Sequence, residues 1–334
     1  MNSPACSAHR RRMLRTGFVA LAAACAVGAN FRVLADAYPS QPIRMIVAFA
    51  PGGGTDILGR LAAKGITDAL GVSVVVENRA GGGGAVGTTV VAKAPPDGYT
   101  LITSGTGAHA INPALFKNLA YDPIKDFTPV SLIGESPYLM LVSKDLPVKT
   151  VQEFIDLAKS KPGELTMASS GNGGMPHLTG ELFQLMTGTK LVHAPYKGTG
   201  VVFPDLIAGR VQVTFADIAA AYPHIQAGNV RILGISSPKR SPAYPNVPSI
   251  AETVPGFDAV GWFGVFAPAG TPAPIVQKLS TAIAAFVKQE DVRKQMAVLG
   301  VQPVGSTPEA FDKVLRADIV RWAKVVHDSG AKVD

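Results

Sequence analysis

The fold is decided by residues 43–56, IRMIVAFAPGGGTD, in which an apolar run meets a glycine loop and then a helix start. The run 43–49 predicts a buried strand, and Thr55 with Asp56 opens a helical apolar period. Residues 165–177, LTMASSGNGGMPH, repeat this arrangement, and neither loop contains lysine or arginine. A strand, a glycine loop and a helix start present free backbone N–H groups and the positive end of a helix dipole, which suits an anion. Two such loops on different lobes predict a clamp that closes on a carboxylate.

The pattern of the first 37 residues predicts an export signal, which would not belong to the folded domain. A basic start at 10–15 precedes the apolar run 18–28, and the segment 35–37 fits the small-x-small cleavage rule. The apolar run is too short to span a bilayer, and the basic start approximates a twin-arginine signal, so both that route and the general secretory route stay open. Lipidation at Cys25 is a minority alternative. We expect a periplasmic protein whose leader is cleaved after about Ala37.

Removal of this leader changes the charge and the cysteine content of the chain. The leader supplies five arginines and one aspartate to the net charge of +7, which leaves a mature part of only about +3. A net charge this small gives little support for binding to nucleic acid or to a membrane surface. Both cysteines, Cys6 and Cys25, lie in the leader, so the mature chain has no thiol or disulfide chemistry. The roughly 300 residues that remain exceed what one hydrophobic core usually organises, which predicts two lobes.

Short apolar runs alternate with helical periods along most of the chain, a pattern typical of parallel βαβ units in an α/β fold. The predicted strands are 43–49, 73–77, 99–104, 130–134, 138–143, 165–169, 191–195, 211–215, 230–235 and 260–266. The predicted helices are 55–69, 84–94, 151–160, 176–187, 218–227, 273–288 and 308–327. Two segments, 130–142 and 259–268, predict crossings between the lobes. We therefore expect the ligand cleft between the lobes, at the carboxyl ends of the strands.

Several motifs point away from other chemistries. Residues 82–87 match the dinucleotide fingerprint G-x-G-x-x-G, but the segment 77–80 separates them from the preceding strand, so a turn-forming glycine loop is favoured and no cofactor is expected. The six histidines show no metal-binding spacing, and no metal site is expected. A nucleophile elbow G-x-S-x-G is absent, so covalent catalysis is only weakly supported.

The polar residues near the predicted cleft each have two interpretations. Thr55 and Asp56 either cap a helix or border the ligand, and Asp56 would repel a carboxylate unless its side chain points elsewhere or binds an amine or hydroxyl. His177 either donates to a ligand oxygen or caps its turn. Lys197 either neutralises an acidic ligand or is solvated like most lysines. Asp217 either accepts from a ligand hydroxyl or amine, or caps the next helix.

Many colinear segments resemble the solute-binding proteins of tripartite tricarboxylate transporters, the Bug-type receptors. The resemblance covers nearly the whole mature chain. Its main segments are YPxxPIR at 38–44, PGGxxD at 51–56, ENRAG at 77–81, PDGYTL at 96–101, SGxGxxxHL at 170–178, PYKG at 195–198 and APAGTP at 267–272. The resemblance implies a two-lobe periplasmic binding protein fold, type II-like, with the cleft between the lobes. We expect residues 38–136 and 258–334 to form lobe 1 and residues 137–257 to form lobe 2.

The resemblance also implies a set of ligand-binding residues, because related receptors hold a carboxylate mainly through backbone N–H groups and ordered waters from the two loops. By position these residues are Phe49, Gly52, Gly53, Gly54, Thr55, Asp56, Thr106, Ala108, Ser169, Ser170, Gly171, Gly174, His177, Lys197 and Asp217. Gly174 departs from the family pattern, since relatives usually place Ser or Thr there. The second loop is therefore expected to depend more on its backbone N–H groups.

These observations predict a monomeric periplasmic receptor that captures a small carboxylate, a di- or tricarboxylate or an aromatic one. It would deliver this ligand to a membrane transporter or a sensor protein, without catalysis, cofactor or nucleic acid. An exported hydrolase or isomerase that uses Asp56, His177 and Lys197 is the alternative. A cytoplasmic effector-binding regulator is a third class, which the leader and the lack of a DNA-binding helical module disfavour.

Overall fold

The computed structural model describes residues 38–331, so the predicted export leader lies outside the described residues. Within this range ten strands form one continuous mixed sheet with helices packed against it. None of the helices between residues 38 and 331 is long and apolar enough to cross a membrane.

Strands and helices alternate along most of the chain, as the apolar pattern predicts. The strands are β1 (Ile43–Val47), β2 (Val74–Asn78), β3 (Thr100–Gly105), β4 (Phe127–Ser143), β5 (Thr166–Ser169), β6 (Val192–Pro195), β7 (Val213–Asp217), β8 (Val230–Ile235), β9 (Val260–Pro268) and β10 (Gln302–Pro303). The α-helices are α1 (Gly54–Leu70), α2 (Ala85–Ala92), α3 (Asn112–Leu115), α4 (Val151–Ser160), α5 (Met175–Thr187), α6 (Phe203–Ile207), α7 (Ile218–Gln226), α8 (Ala273–Val287), α9 (Glu290–Val298) and α10 (Pro308–Ser329). Short 3-10 turns occupy Gly82–Gly84 and Ile250–Glu252, and a π-helical segment occupies Gly107–Ile111.

The strand β4 joins two lobes. The strands follow the order β2-β1-β3-β9-β4-β7-β5-β6, and β8 and β10 also pair with β4. The amino-terminal part of β4, up to Pro137, pairs antiparallel with β9, whereas the part from Tyr138 pairs with β7 and β8. We refer to β1, β2, β3, β9 and β10 with their helices as the first lobe, and to β5 to β8 with theirs as the second lobe.

The structure corrects three features of the predicted element pattern. The two strands predicted around residues 134–137 are one strand, because Gly134 to Pro137 stay paired with β9 while β-bulges absorb the register shifts. The strand β9 pairs with β3 and with the amino-terminal part of β4, so the chain has already returned to the first lobe before residue 260. The helices α3, α6 and α9 and the two-residue strand β10 were not predicted, since α3 and α6 are short turns and α9 buries only Val292 and Met296.

The helix α1 shows how sequence sets the packing of the first lobe. Leu58, Leu61 and Ile66 recur at helical spacing and are buried, so one face of the helix covers the sheet. The helix ends where Gly71 adopts a left-handed conformation with φ of 71°. A Cβ at Gly65 would lie 2.6 Å from the Cβ of Phe286, so glycine lets α1 and α8 pack closely. This packing holds α1 in the first lobe, directly after the first glycine loop.

Candidate functional site

The two glycine loops of the sequence lie face to face across the cleft between the lobes. The first connects β1 to α1, and the second connects β5 to α5. Gly53 and Gly174 are the N-cap residues of these helices, and no side chain of their own caps them. Glycine caps leave the first N–H groups of each helix without a local acceptor, so both helix ends can donate into the cleft.

The lobes are closed over this cleft and touch through backbone atoms. The N–H of Ala50 donates to the carbonyl oxygen of Lys197 over 3.1 Å. A Cβ at Gly107 in the first lobe would lie 2.7 Å from the carbonyl oxygen of Gly173 in the second. Such distances are too short for a real Cβ, so the closed arrangement depends on glycine at this contact.

A cavity of about 30 Å³ lies between the two loops. In the closed arrangement it has room for about two water molecules. The predicted binding residues that line it are Phe49, Gly53, Gly54, Thr55, Thr106, Ser170 and Asp217. Residues from both lobes therefore converge on one small space, as a clamp requires.

A second cavity of about 200 Å³ lies beside the first and shares Phe49 and Ser170 with it. Gly171 and Lys197 line this second cavity, together with the four glycines of residues 81–84. Lys197 is exposed, so its ammonium group lies at the outer side of the cleft.

Asp56 is turned toward its own loop and is not among the residues that line the cavity. Its Oδ2 accepts from the N–H of Gly52 over 3.0 Å, and its Oδ1 accepts from Nδ2 of Asn78 over 2.9 Å and from Nε of Arg60 over 3.1 Å. Burial opposes the charge, but these hydrogen bonds and the Arg60 charge outweigh it, so the pKa of Asp56 is lowered. The carboxylate shapes the first loop while Arg60 balances its charge.

We expect Asp56→Ala to lower the free energy of unfolding by about 1–3 kcal/mol at neutral pH, because the Gly52 N–H and Asn78 lose a charged acceptor. The folded-state pKa lies below the unfolded value of about 3.9, so ionised Asp56 stabilises the fold above that pH. The difference from wild type should therefore shrink as the pH falls below about 4. Urea unfolding at several pH values measures it, and Asp68→Ala, which removes the exposed Lys64–Asp68 ion pair, is the control. A difference that stays constant down to pH 3 would contradict this role.

Asp217 is the last residue of β7 and places a carboxylate at the amino ends of two helices. Its Oδ1 accepts from the N–H of Ala220 over 2.9 Å, which confirms the predicted cap of α7. Across the cleft its Oδ1 lies against the start of α1, only 2.7 Å from the position that a Cβ at Gly54 would take. Burial raises the pKa of Asp217, and the hydrogen bonds from Ala220, Thr199 and Gly54 limit the rise. Asp217 therefore links the lobes at the cavity wall.

His177 lies behind the second loop and is not among the residues that line either cavity. Its Nδ1 accepts from the N–H of Gly173 over 3.2 Å, and its ring stacks on His193 at a centroid distance of 4.0 Å. Nε2 of His193 lies 2.6 Å from Oγ of Ser169. Burial and the neighbouring His177 lower the pKa of His193 to about 3, so this ring is neutral at pH 7. The two histidines hold the second loop in place, and no sequence spacing signalled their pairing.

The other predicted residues shape the loops around the cavity. Gly52 is exposed, whereas Ala108 is buried in the π-helical segment and its carbonyl accepts from the hydroxyl of Tyr121. Ser169 is buried at the end of β5. A Cβ at Gly174 would overlap Oγ of Ser170, so glycine at 174 allows the observed position of the Ser170 side chain.

Sequence reasoning missed several cavity residues because strand interiors, a helix start and a buried loop supply them. They are Tyr138, Met175, Thr199 and Phe263, and Trp262 lines the cavity beside them. Trp262 is fixed from two sides, since its Nε1 donates to Asp318 over 2.7 Å and its N–H donates to Oγ1 of Thr106 over 2.9 Å. No group of three or more His, Cys, Asp or Glu between residues 38 and 331 is placed to hold a metal ion.

Comparison with known proteins agrees with this geometry. The family model of the tripartite tricarboxylate transporter family receptor matches residues 58–331. Protein BugT of Bordetella pertussis is 40% identical over 303 residues, which cover 90% of this chain and 93% of that protein. An R. palustris protein solved with adipate superposes with a TM-score of 0.86 at 39% identity, covering 88% of this chain and 98% of that one. MatC from Rhodopseudomonas palustris, solved with bound malate, gives a TM-score of 0.83 at 36% identity, covering 86% of this chain and 100% of that one.

The fold and the cleft thus define a two-lobe periplasmic binding protein. The chain belongs to the tripartite tricarboxylate transporter receptor family, to which the colinear motifs had pointed.

Proposed function

We propose that this protein is a periplasmic receptor that captures a small carboxylate, a di- or tricarboxylate, between its two lobes. The observation that carries the proposal is that two glycine-capped helix starts, one from each lobe, face one cavity. Their N–H groups and dipoles replace the hydration of an anion, and lobe closure excludes water from it. The adipate and malate bound by two related structures support this ligand class.

In this proposal the lobes are residues 38–136 with 258–334, and residues 137–257. The change of pairing partners in β4 between Pro137 and Tyr138 supports this division. The ligand carboxylate accepts from the two loops, and Thr55 and Ser170 supply hydroxyl donors at the cavity wall. The predicted leader delivers the chain to the periplasm, and the monomeric receptor passes its ligand to a membrane transporter or a sensor.

The alternative hydrolase or isomerase has less support from the geometry. Asp56 is bonded to Gly52, Asn78 and Arg60. His177 is stacked on His193 behind the loop, and Lys197 is exposed beside the second cavity. The three residues proposed for acid–base chemistry therefore do not face one common point, whereas the donor groups of a receptor do.

We expect the purified mature protein to be stabilised by a small carboxylate and to leave it chemically unchanged. A ligand at a hundred times its dissociation constant adds about 2.7 kcal/mol to the free energy of unfolding, which should raise Tm by at least about 5 °C. Thermal shift over aliphatic and aromatic carboxylates, amino acids and vitamins measures this, with calorimetry for the best ligand and product analysis for turnover.

The matched control for this screen is Gly53→Val. Gly53 has φ of −86° and ψ of 166°, which valine adopts readily, and the nearest atoms to a Cβ there are 3.9 Å away. The variant should fold normally and lose the ligand-induced shift, because its branches enter the cleft toward Thr199. Turnover of a carboxylate, or equal ligand shifts in both proteins, would count against the receptor.

A further inference from the structure

Tyr138 is a buried polar residue whose hydroxyl lies at the cavity without a protein partner. It is 4% exposed, lines the cavity and is paired with Asp217 in the β4–β7 register, so both side chains lie on the same face of the sheet. Between residues 38 and 331 no group makes a hydrogen bond to its hydroxyl, although its backbone N–H donates to Ser236. Buried hydroxyls normally have a partner, so this one is available to a ligand.

The hydroxyl is a donor under all ordinary conditions. Burial, followed by the nearby Asp217 carboxylate, raises the pKa of Tyr138 well above its ordinary value. Asp217 already accepts from the N–H of Ala220 over 2.9 Å. The proton of the phenol is therefore available to an oxygen atom in the cavity.

The ring of Tyr138 also limits the space between the lobes. It reaches across the cleft floor to β9, where a Cβ at Gly261 would lie 2.8 Å from the hydroxyl oxygen and 3.3 Å from Cγ of Met175. The rings of Trp262 and Phe263 line the same cavity. These side chains therefore narrow the space between the lobes that a ligand chain would occupy.

We propose that Tyr138 determines which carboxylate the receptor selects: its hydroxyl donates to an oxygen substituent on the ligand chain, and its ring excludes longer chains. The preferred class is then short carboxylates with a hydroxyl or oxo group. This inference rests on the proposed receptor function and names the part of the cavity that sets its specificity.

Calorimetry with malate and succinate, which differ by one hydroxyl, tests the hydrogen bond. Wild type should bind malate about 3- to 10-fold more tightly than succinate, the range that one net hydrogen bond supplies. Tyr138→Phe should remove this preference and leave the unliganded Tm unchanged or higher, because the lost hydroxyl had no protein partner. The control is Tyr38→Phe, which removes a hydroxyl bonded to the carbonyl of Gly98 over 2.8 Å, far along the chain from the cavity. That control should lower Tm and keep the malate preference.

The affinity for adipate, which has a longer chain than malate, tests whether the ring of Tyr138 excludes longer ligands. Tyr138→Val keeps a residue suited to a strand and removes the ring, so its affinity for adipate relative to malate should rise at least about tenfold. An unchanged malate-to-succinate ratio in Tyr138→Phe, together with an unchanged adipate-to-malate ratio in Tyr138→Val, would overturn the role of Tyr138 and leave the receptor function standing. If neither the wild-type protein nor its variants bind malate, succinate or adipate, both this inference and the proposed ligand class are overturned.

Discussion

Gly107→Ala is expected to weaken ligand binding by about 5- to 150-fold while leaving the unliganded protein as stable as wild type. In the closed structure a Cβ at this position would lie 2.7 Å from the carbonyl oxygen of Gly173 and 3.0 Å from Cα of Gly174. Overpacking of this kind costs about 1–3 kcal/mol where the contact cannot relax. Opening of the lobes separates the two surfaces, so the cost falls on the closed, liganded state. Gly107 lies in a helical segment with negative φ, which alanine accepts.

Calorimetry with a ligand that binds wild type measures this loss, and small-angle scattering shows whether ligand still compacts the variant. The matched control is Gly234→Ala, where a Cβ would be crowded inside the second lobe, 3.0 Å from Ile250 and 3.1 Å from Val151. That variant should lose stability and keep its affinity. Unchanged affinity and compaction in Gly107→Ala would show that the closed contact between the loops is not required for binding.

Phe311→Ala is expected to lower the free energy of unfolding by about 3–5 kcal/mol, the range for truncation of a buried phenylalanine. Phe311 is fully buried on α10 and packs between two rings of β9, at centroid distances of 5.1 Å from Trp262 and 4.8 Å from Phe266. A Cβ at Gly264 would overlap the Phe311 ring, so β9 is shaped to accept it. Truncation of Phe311 leaves a cavity between α10 and β9, and the paired strands of the sheet cannot move to fill it.

Urea unfolding monitored by circular dichroism measures this loss. Val320→Ala on the same helix is the control, because Val320 is 73% exposed and should change stability by less than about 0.5 kcal/mol. A loss below about 1 kcal/mol for Phe311→Ala would mean that α10 contributes little to the core of the first lobe. Because Trp262 also lines the cleft, weaker ligand binding in this variant would show that α10 supports the site.

The two glycine loops look alike in the sequence but differ in how well they tolerate a larger side chain. The sequence treats Gly53 and Gly171 as equivalent, yet valine is expected to be tolerated only at Gly53. Gly171 has φ of +121°, and a Cβ there would lie 2.9 Å from the carbonyl oxygen of Tyr196, so valine would strain the fold itself. This difference depends on backbone angle and on a neighbour 25 positions away, which no local pattern contains.

Most elements were predictable because their signals are local. The strand β1 begins at Ile43 as predicted, and α1 begins and ends within one residue of its predicted bounds, whereas β7 lies two residues later than predicted. The continuity of β4 was not predictable, since the glycine and proline at 134 and 137 are typical of a turn. Pairing with β9 keeps this segment extended, and that pairing joins residues more than a hundred positions apart.

The sequence by itself determined the α/β architecture and the position of both glycine loops, because these depend on the pattern of residues along the chain. It also indicated the family, through the resemblance of its colinear motifs. Only the tertiary structure decided which side chains face the ligand space. It turned Asp56 toward Arg60, placed His177 behind the second loop and brought Tyr138 and Asp217 together at the cavity. The physical reason is that side-chain direction follows from strand register and lobe contacts, which join distant residues.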